Sequence, residues 1–293
     1  MRLQKYEALG NDFLIVIDHP VDAELARAVC DRHRGAGADG LIRAVASTGE
    51  ADVAMELWNA DGSRAETSGN GLRCLARAVV DAGVVAGPEM VIATDAGLRR
   101  ATLHPDGLVS VEMGWVRVVD GNADPFDDSR WLGFVDAGNP HVVLGVDDPA
   151  KEDLEQDGPT WEGAYGGVNV EYVATGPGAD ELTMRVWERG VGETMACGSG
   201  ACAAAVVARR QGMVGERVTV HQPGGDVVVD LSGPTVLLTG PARFVCSVEF
   251  PDGPGWGRAP ASGRRAGGMV SPPRRSGPLA DPMGSRPGDA TWR

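Results

Sequence analysis

Residues 66–74 read ETSGNGLRC and residues 194–202 read TMACGSGAC. Each sets a small residue before Gly, a polar residue and a second Gly. Each then runs into apolar sequence, LRCLARAVV in the first and ACAAAVVA in the second. A Gly-rich turn ahead of such a run marks a helix start, which predicts helices from Asn70 to about Asp81 and from Ser199 to about Gln211. Both are apolar nearly all round, so both are expected to be buried.

The two stretches also stand in register. At an offset of 129, Met55-Glu56-Leu57-Trp58-Asn59 falls on Met184-Arg185-Val186-Trp187-Glu188, and Ser68-Gly69-Asn70-Gly71 falls on Cys197-Gly198-Ser199-Gly200 with no gap between the matches. At an offset of 128, Gly10-Asn11 and the run from Phe13 fall on Gly138-Asn139 and the run from His141. The chain therefore reads as two copies of one unit, related by a pseudo-two-fold axis and joined near residues 118–122. Short β-branched runs such as Phe13–Ile17, Asp52–Trp58, Val170–Ala174 and Glu181–Trp187 are parted by Gly, Pro and Asp turns. The simplest arrangement is a sheet wrapped around one central helix, twice over.

Composition narrows the classes. A chain of 293 residues with 43% hydrophobic content buries a real core. No apolar run approaches a bilayer span and no signal-peptide core follows Met1, so the expected compartment is the cytoplasm. A net charge of −14 disfavours nucleic acid and acidic membranes as partners. Five cysteines without CxxC spacing, and histidines without metal-ligand spacing, argue against a disulfide framework or a metal. From residue 254 to 293 the chain is rich in Gly and Pro, and seven arginines oppose two aspartates. That composition predicts a disordered tail.

The first turn of a helix leaves N–H groups unpaired and carries partial positive charge, so it attracts an anion and stabilises a thiolate. Two such starts facing each other would grip one carboxylate. Cys197, at the head of its helix, is expected to have a thiol pKa lowered to roughly 3.5–7.5 and to act as a base. The amides Asn11, Asn59, Asn139 and Asn169 stand at strand ends or turns, and Glu188-Arg189 follows a hydrophobic strand. Amides with one Glu–Arg pair suit a zwitterionic amino acid.

In order along the chain, ALGNDF (8–13), NADGSxAE (59–66), SGNGxRC (68–74), GNPHxV (138–143), VNVEYV (168–173), WERGxGET (187–194), ACGSGACAAA (196–205) and GPA (240–242) resemble diaminopimelate epimerases. The resemblance covers residues 2 to about 250. It implies an α+β fold of two pseudo-symmetric halves, each a mostly antiparallel β-barrel around a central helix. The halves would span residues 1–118 and 119–241, with a last strand at about 242–252 returning to the first.

It further implies cofactor-independent interconversion of LL- and meso-diaminopimelate, on the route to lysine and peptidoglycan, by a homodimer. Substrate contacts would fall on Asn11, Asn59, Gly69, Asn70, Asn139, Asn169, Glu188, Arg189, Gly198 and Ser199, with His141 and Glu188 shaping the site. Cys197 falls on one of the family's two catalytic thiols.

Two departures stand out. Where the family often has Gln, this chain has Gly40, and the second catalytic thiol is Ser68. A hydroxyl can donate a proton but is a far weaker base than a thiolate and usually needs an adjacent base. Cys74 is no substitute, being about 9 Å further along its helix and facing the barrel. Ser68 leaves open an epimerase with a proton relay, a related amino-acid epimerase, racemase or one-base enzyme, and a non-catalytic amino-acid-binding protein.

Overall fold

In the computed structural model the described residues are 1–250 apart from 48, 66–67 and 120–123. The tail read at 254–293 and the junction at 120–122 lie outside them. The first set of elements is β1 (Arg2–Ala8), β2 (Asn11–Ile17), α1 (Ala23–Cys30), β3 (Gly40–Ala46), β4 (Val53–Asn59), β5 (Arg64–Ala65), α2 (Gly69–Asp81), β6 (Glu89–Thr94), β7 (Gly97–Leu103), β8 (Leu108–Gly114) and β9 (Arg117–Val118). The second set is β10 (Trp131–Asp136), β11 (Pro140–Gly145), α3 (Leu154–Ala164), β12 (Asn169–Thr175), β13 (Glu181–Glu188), β14 (Gly192–Thr194), α4 (Gly198–Arg210), β15 (Arg217–Gln222), β16 (Gly225–Asp230), β17 (Val236–Pro241) and β18 (Arg243–Glu249). A single 3₁₀ turn at Pro149–Lys151 precedes α3.

The duplication is written in the pairings. β1–β2 is antiparallel, β2–β3 parallel, β3–β4 and β4–β5 antiparallel, β4–β6 parallel, and β6–β7 and β7–β8 antiparallel. The same orientations recur in the same order from β10 to β17. Each parallel pair needs a crossover, and α1, α2, α3 and α4 lie on the four crossovers. The two sets join where the equivalent strands β8 and β17 pair antiparallel. They also exchange their last strands: β9 pairs with β10, and β18 with β1.

Each central helix is enclosed by its own strands. α2 packs against β1, β2, β3, β7 and β8, and α4 against β9 to β13, β15 and β16. Leu72, Leu75 and Val79 of α2 are fully buried, each worth roughly 1.5–3 kcal/mol against exposure. The alanines of α4, Ala201, Ala203, Ala204, Ala205 and Ala208, let the surrounding strands close tightly on a helix of small radius.

The one central helix expected in each half is present, and each half adds a second, shorter helix: α1 and α3 cover the outer faces of the parallel pairs. α1 has only eight residues, and its clearest signal is the Asp22 carboxylate, which accepts from Leu25 N at 2.8 Å. α3 carries Pro159 within it, and Gly158 lies so close to Trp187 that a Cβ there would meet the indole at 2.4 Å. Burial of Trp161 against Val142, Leu144 and Tyr172 holds α3 despite its poor helix propensity.

Candidate active site

The N-termini of α2 and α4 meet. A Cβ on Gly198 would stand 3.3 Å from the Gly69 Cα and 3.0 Å from Leu238 Cδ2, and one on Gly69 would stand 2.8 Å from the same Leu238 atom. A side chain at Gly198 would press on the α2 backbone, and one at Gly69 would displace the side chains of Leu238 and Met113. The caps match: Ser68 Oγ accepts from Gly71 N at 3.0 Å, and Cys197 Sγ accepts from Gly200 N at 3.3 Å, both from extended backbone. In both helices the N–H groups of the first two residues, Gly69 and Asn70, and Gly198 and Ser199, have no carbonyl one turn back to bond. Four donors at two positive helix ends thus converge on one spot.

Asn70 ties this spot together. Its Nδ2 donates to Ala196 O and to Asn11 Oδ1, both at 3.2 Å. Asn11 in turn donates through Nδ2 to Asp39 Oδ2 at 2.8 Å, and Asp39 is fixed by Arg32 and by Asp12 N. On the other side the Cys197 backbone N donates to the buried Gln222 Oε1 at 2.8 Å.

The second half supplies a buried polar wall. His141 bridges Asn139 Oδ1 (2.9 Å) and Glu171 Oε1 (2.7 Å) through its two ring nitrogens, with His141 and Glu171 fully buried. Glu171 abuts the first turn of α4: a Cβ on Gly200 would meet its Oε1 at 2.5 Å. Asn169 accepts from Arg189 N through Oδ1 at 3.0 Å and donates to Pro140 O at 3.1 Å. Glu188 Oε1 accepts from Thr194 Oγ1 at 2.5 Å. Burial pushes the Glu188 carboxyl up, and Glu171 and Asp39 add to the rise, so groups from both halves face one another here. Asn59 stands apart from this network, tied locally to Ser63 Oγ at 3.0 Å.

The expected low pKa of Cys197 is overturned. Burial pushes the thiol well above its ordinary value, Glu188 and Glu171 push it further, and the Ser199 and Gly200 hydrogen bonds recover only part of the rise. A helix terminus lowers a thiol pKa where water still reaches the sulfur; here the sulfur is buried and two carboxylates adjoin it. The direction of the shift favours the thiol form of Cys197 at neutral pH. Ser68 has no side-chain base hydrogen-bonded to it among the described residues. Cys74 is fully buried and pushed up to about 12, which removes it from the chemistry. Gly40 has no room for a longer side chain, since its Cβ would meet Trp58 O at 2.8 Å.

Asp39, Glu171, Thr194 and Gln222 escape sequence reasoning. Of these Glu171 leaves a signal as a lone charge inside the apolar strand VNVEYV, and Thr194 as the last residue of WERGxGET. Among the described residues no cluster of three or more His, Cys, Asp or Glu side chains could hold a metal ion.

A sequence profile of the diaminopimelate epimerase family matches residues 3–119 and 133–245. The diaminopimelate epimerase of Cyanothece sp. is 40% identical over 275 residues, covering 84% of this chain and 98% of its own. That of Halorhodospira halophila is also 40% identical over 275 residues, covering 85% and 95%. Among solved structures, a hydroxyproline epimerase from Agrobacterium vitis superposes with a TM-score of 0.67 at 16% identity, over 85% of this chain and 91% of its own. A probable proline racemase from Agrobacterium radiobacter gives 0.66 at 18%, over 85% and 92%. At these identities the two structures speak to the fold alone.

Proposed function

Because this chain belongs to the diaminopimelate epimerase family, we propose that it interconverts LL- and meso-diaminopimelate by removing the α-proton from one face and returning one to the other, without a cofactor. The observation that carries the reading is the pair of matched, capped helix starts with four convergent N–H donors. The α-carboxylate lies in that cradle, held by Gly69, Asn70, Gly198 and Ser199. Asn11 closes one side. The far amino-acid group of the substrate meets Asn59, Asn139, Asn169, Glu188 and Arg189, its ammonium on Glu188 and its carboxylate on Arg189, with His141 holding Asn139.

In one direction the Cys197 thiolate takes the α-proton. The C–H bond breaks, an S–H bond forms, and the electron pair spreads into the carboxylate, whose growing charge the helix N–H groups stabilise. The Ser68 hydroxyl then delivers a proton to the opposite face and regains one from water. In the other direction a water-borne hydroxide held by the Ser68 hydroxyl takes the α-proton and becomes water, and the Cys197 thiol delivers its proton to the opposite face and becomes the thiolate. Loss of the Cys197 proton to that hydroxide resets the site after the forward turnover. Among the described residues no side-chain base is bonded to Ser68, which favours a second, one-base reading in which Cys197 both removes and returns the proton on one face.

Incubation of the protein with each isomer in D₂O separates the readings. Deuterium at the α-carbon with inversion supports the epimerase, and exchange with retention supports one working base. Binding of both isomers with no exchange rejects the catalytic reading.

The assembly we propose is a homodimer in the cytoplasm. β18 bonds to β1 along one edge and leaves Phe244 and Val245 about half exposed beside the exposed Cys246, an edge that a second copy would cover. Light scattering should give twice the chain mass, and a monomer at micromolar concentration rejects the dimer. All five cysteines are free, as a reducing compartment requires. Recovery of the protein in the cytosolic fraction checks that placement.

A further inference from the structure

The Arg73 side chain is wholly buried, one turn into α2 and directly behind the cradle. Its guanidinium spends its donors on three neutral acceptors: Nη2 to Asn70 Oδ1 at 2.7 Å, Nη1 to Gly69 O at 3.3 Å, and Nε to Pro241 O at 3.3 Å. No carboxylate forms an ion pair with it among the described residues. The charged and titratable groups that act on it are Cys74 on its own helix, Cys202 on α4 and Glu7 on β1. Burial pushes both thiols up to about 12, so neither carries charge at neutral pH. Glu7 is already engaged, accepting from Gly10 N and facing Arg243.

A buried cation without an anion is costly, and the fold keeps one here. Two features of its position explain that. It holds the Asn70 side chain by the oxygen, which turns the Asn70 amide nitrogen toward Ala196 O and Asn11 Oδ1. It also bonds Pro241 O on β17, so one side chain of the first half fastens both sides of the junction where the helix starts meet.

We propose that Arg73 is a positioning residue for the carboxylate cradle: it fixes Asn70 and sets a permanent positive charge behind the bound anion, which supplies the missing counter-charge. The inference rests on the proposed reading that a carboxylate binds between the two helix starts. Helix dipoles alone give partial charges. Arg73 adds a whole one in a dry interior, where it acts most strongly. The guanidinium itself is lowered by burial only to about 10, so it stays charged throughout the neutral range.

The test compares Arg73→Met and Arg73→Lys with the unaltered protein, measuring α-deuteration of meso-diaminopimelate in D₂O against substrate concentration and pH. Arg73→Met should lose roughly 30-fold or more in kcat/KM, with a circular dichroism spectrum like that of the unaltered protein. Arg73→Lys keeps the charge but not the fork and should recover part of that loss at neutral pH. A buried lysine loses its proton more readily than a free one, so its KM should climb as pH rises, whereas that of the unaltered protein should not climb below about pH 10. Wild-type kcat/KM in Arg73→Met overturns the proposal. So does an Arg73→Lys protein whose KM ignores pH, which also decides the matter if Arg73→Met does not fold. Should the unaltered protein itself show no exchange, the epimerase reading fails separately. Calorimetric binding of meso-diaminopimelate to the unaltered and Arg73→Lys proteins at two pH values then still tests Arg73.

Discussion

Replacing Cys197 by alanine should abolish measurable α-deuteration of both diaminopimelate isomers, while the protein still folds and still binds them. A positioned acid or base is worth roughly 10² to 10⁴ in rate. Here the loss falls at the upper end, because among the described residues Cys197 is the sole thiol in the site and no side-chain base is bonded to Ser68 to take its place. The structural cost is small. The Sγ cap on Gly200 N is lost, about 1 kcal/mol at a helix N-terminus. Gln222 still holds the backbone of residue 197, and the four cradle N–H groups are untouched. Exchange in the alanine variant at more than about a hundredth of the native rate would remove Cys197 from the mechanism.

The same thiol sets the pH dependence. Its pKa is raised in the folded protein by burial, Glu188 and Glu171, so at neutral pH the reactive thiolate is a minority. Below that raised pKa, each unit of added pH should increase kcat/KM for proton removal about tenfold, levelling off once the thiol has ionised. Glu188→Gln removes one of the two carboxylates that raise it and should move this limb to lower pH, alongside a weaker KM from the lost ammonium contact. A flat profile from about pH 6 to 9 would mean that the thiolate is already formed in the free protein, contrary to the burial seen here.

What the chain discloses by itself follows from the range of each interaction. The starts of α2 and α4 are legible because their cause is local: Gly69, Gly71, Gly198 and Gly200 keep the two helix starts free of side chains, and the caps Ser68 and Cys197 lie within three residues of their donors. The duplication is legible because identical geometry selects similar residues at a constant offset. The outer helices α1 and α3 are not, since α3 is held by the burial of Trp161 and by the fit of Gly158 on Trp187, contacts between residues far apart in the chain. The ionisation of Cys197 is hidden for the same reason. A helix start argues for a thiolate, and only folding brings Glu171 from β12 and Glu188 from β13 beside the sulfur. Arg73 belongs to the readable motif SGNGLRC, yet its lack of an ion-paired carboxylate among the described residues is a property of the packed interior.

Ser68→Cys should accelerate epimerisation by roughly 10²-fold or more, the largest gain available from a single atom. The backbone is ready for it. Ser68 sits at φ −148°, ψ 120° and Cys197 at φ −122°, ψ 116°, and each accepts from the N–H three residues on, so a sulfur at 68 would occupy the counterpart of the Cys197 site across the pseudo-two-fold axis. The hydroxyl is a far weaker base than a thiolate with a pKa near 8.5. An epimerase runs near an equilibrium constant of order one, so a poor base on one face slows both directions equally, and restoring a thiol should speed both. The product stereochemistry decides between the two mechanisms: a native protein that exchanges with retention should change to exchange with inversion in the variant. If Ser68→Cys folds, binds diaminopimelate and turns over no faster than the native protein, then position 68 does not limit proton transfer, and the second face is served by a group other than the residue 68 side chain.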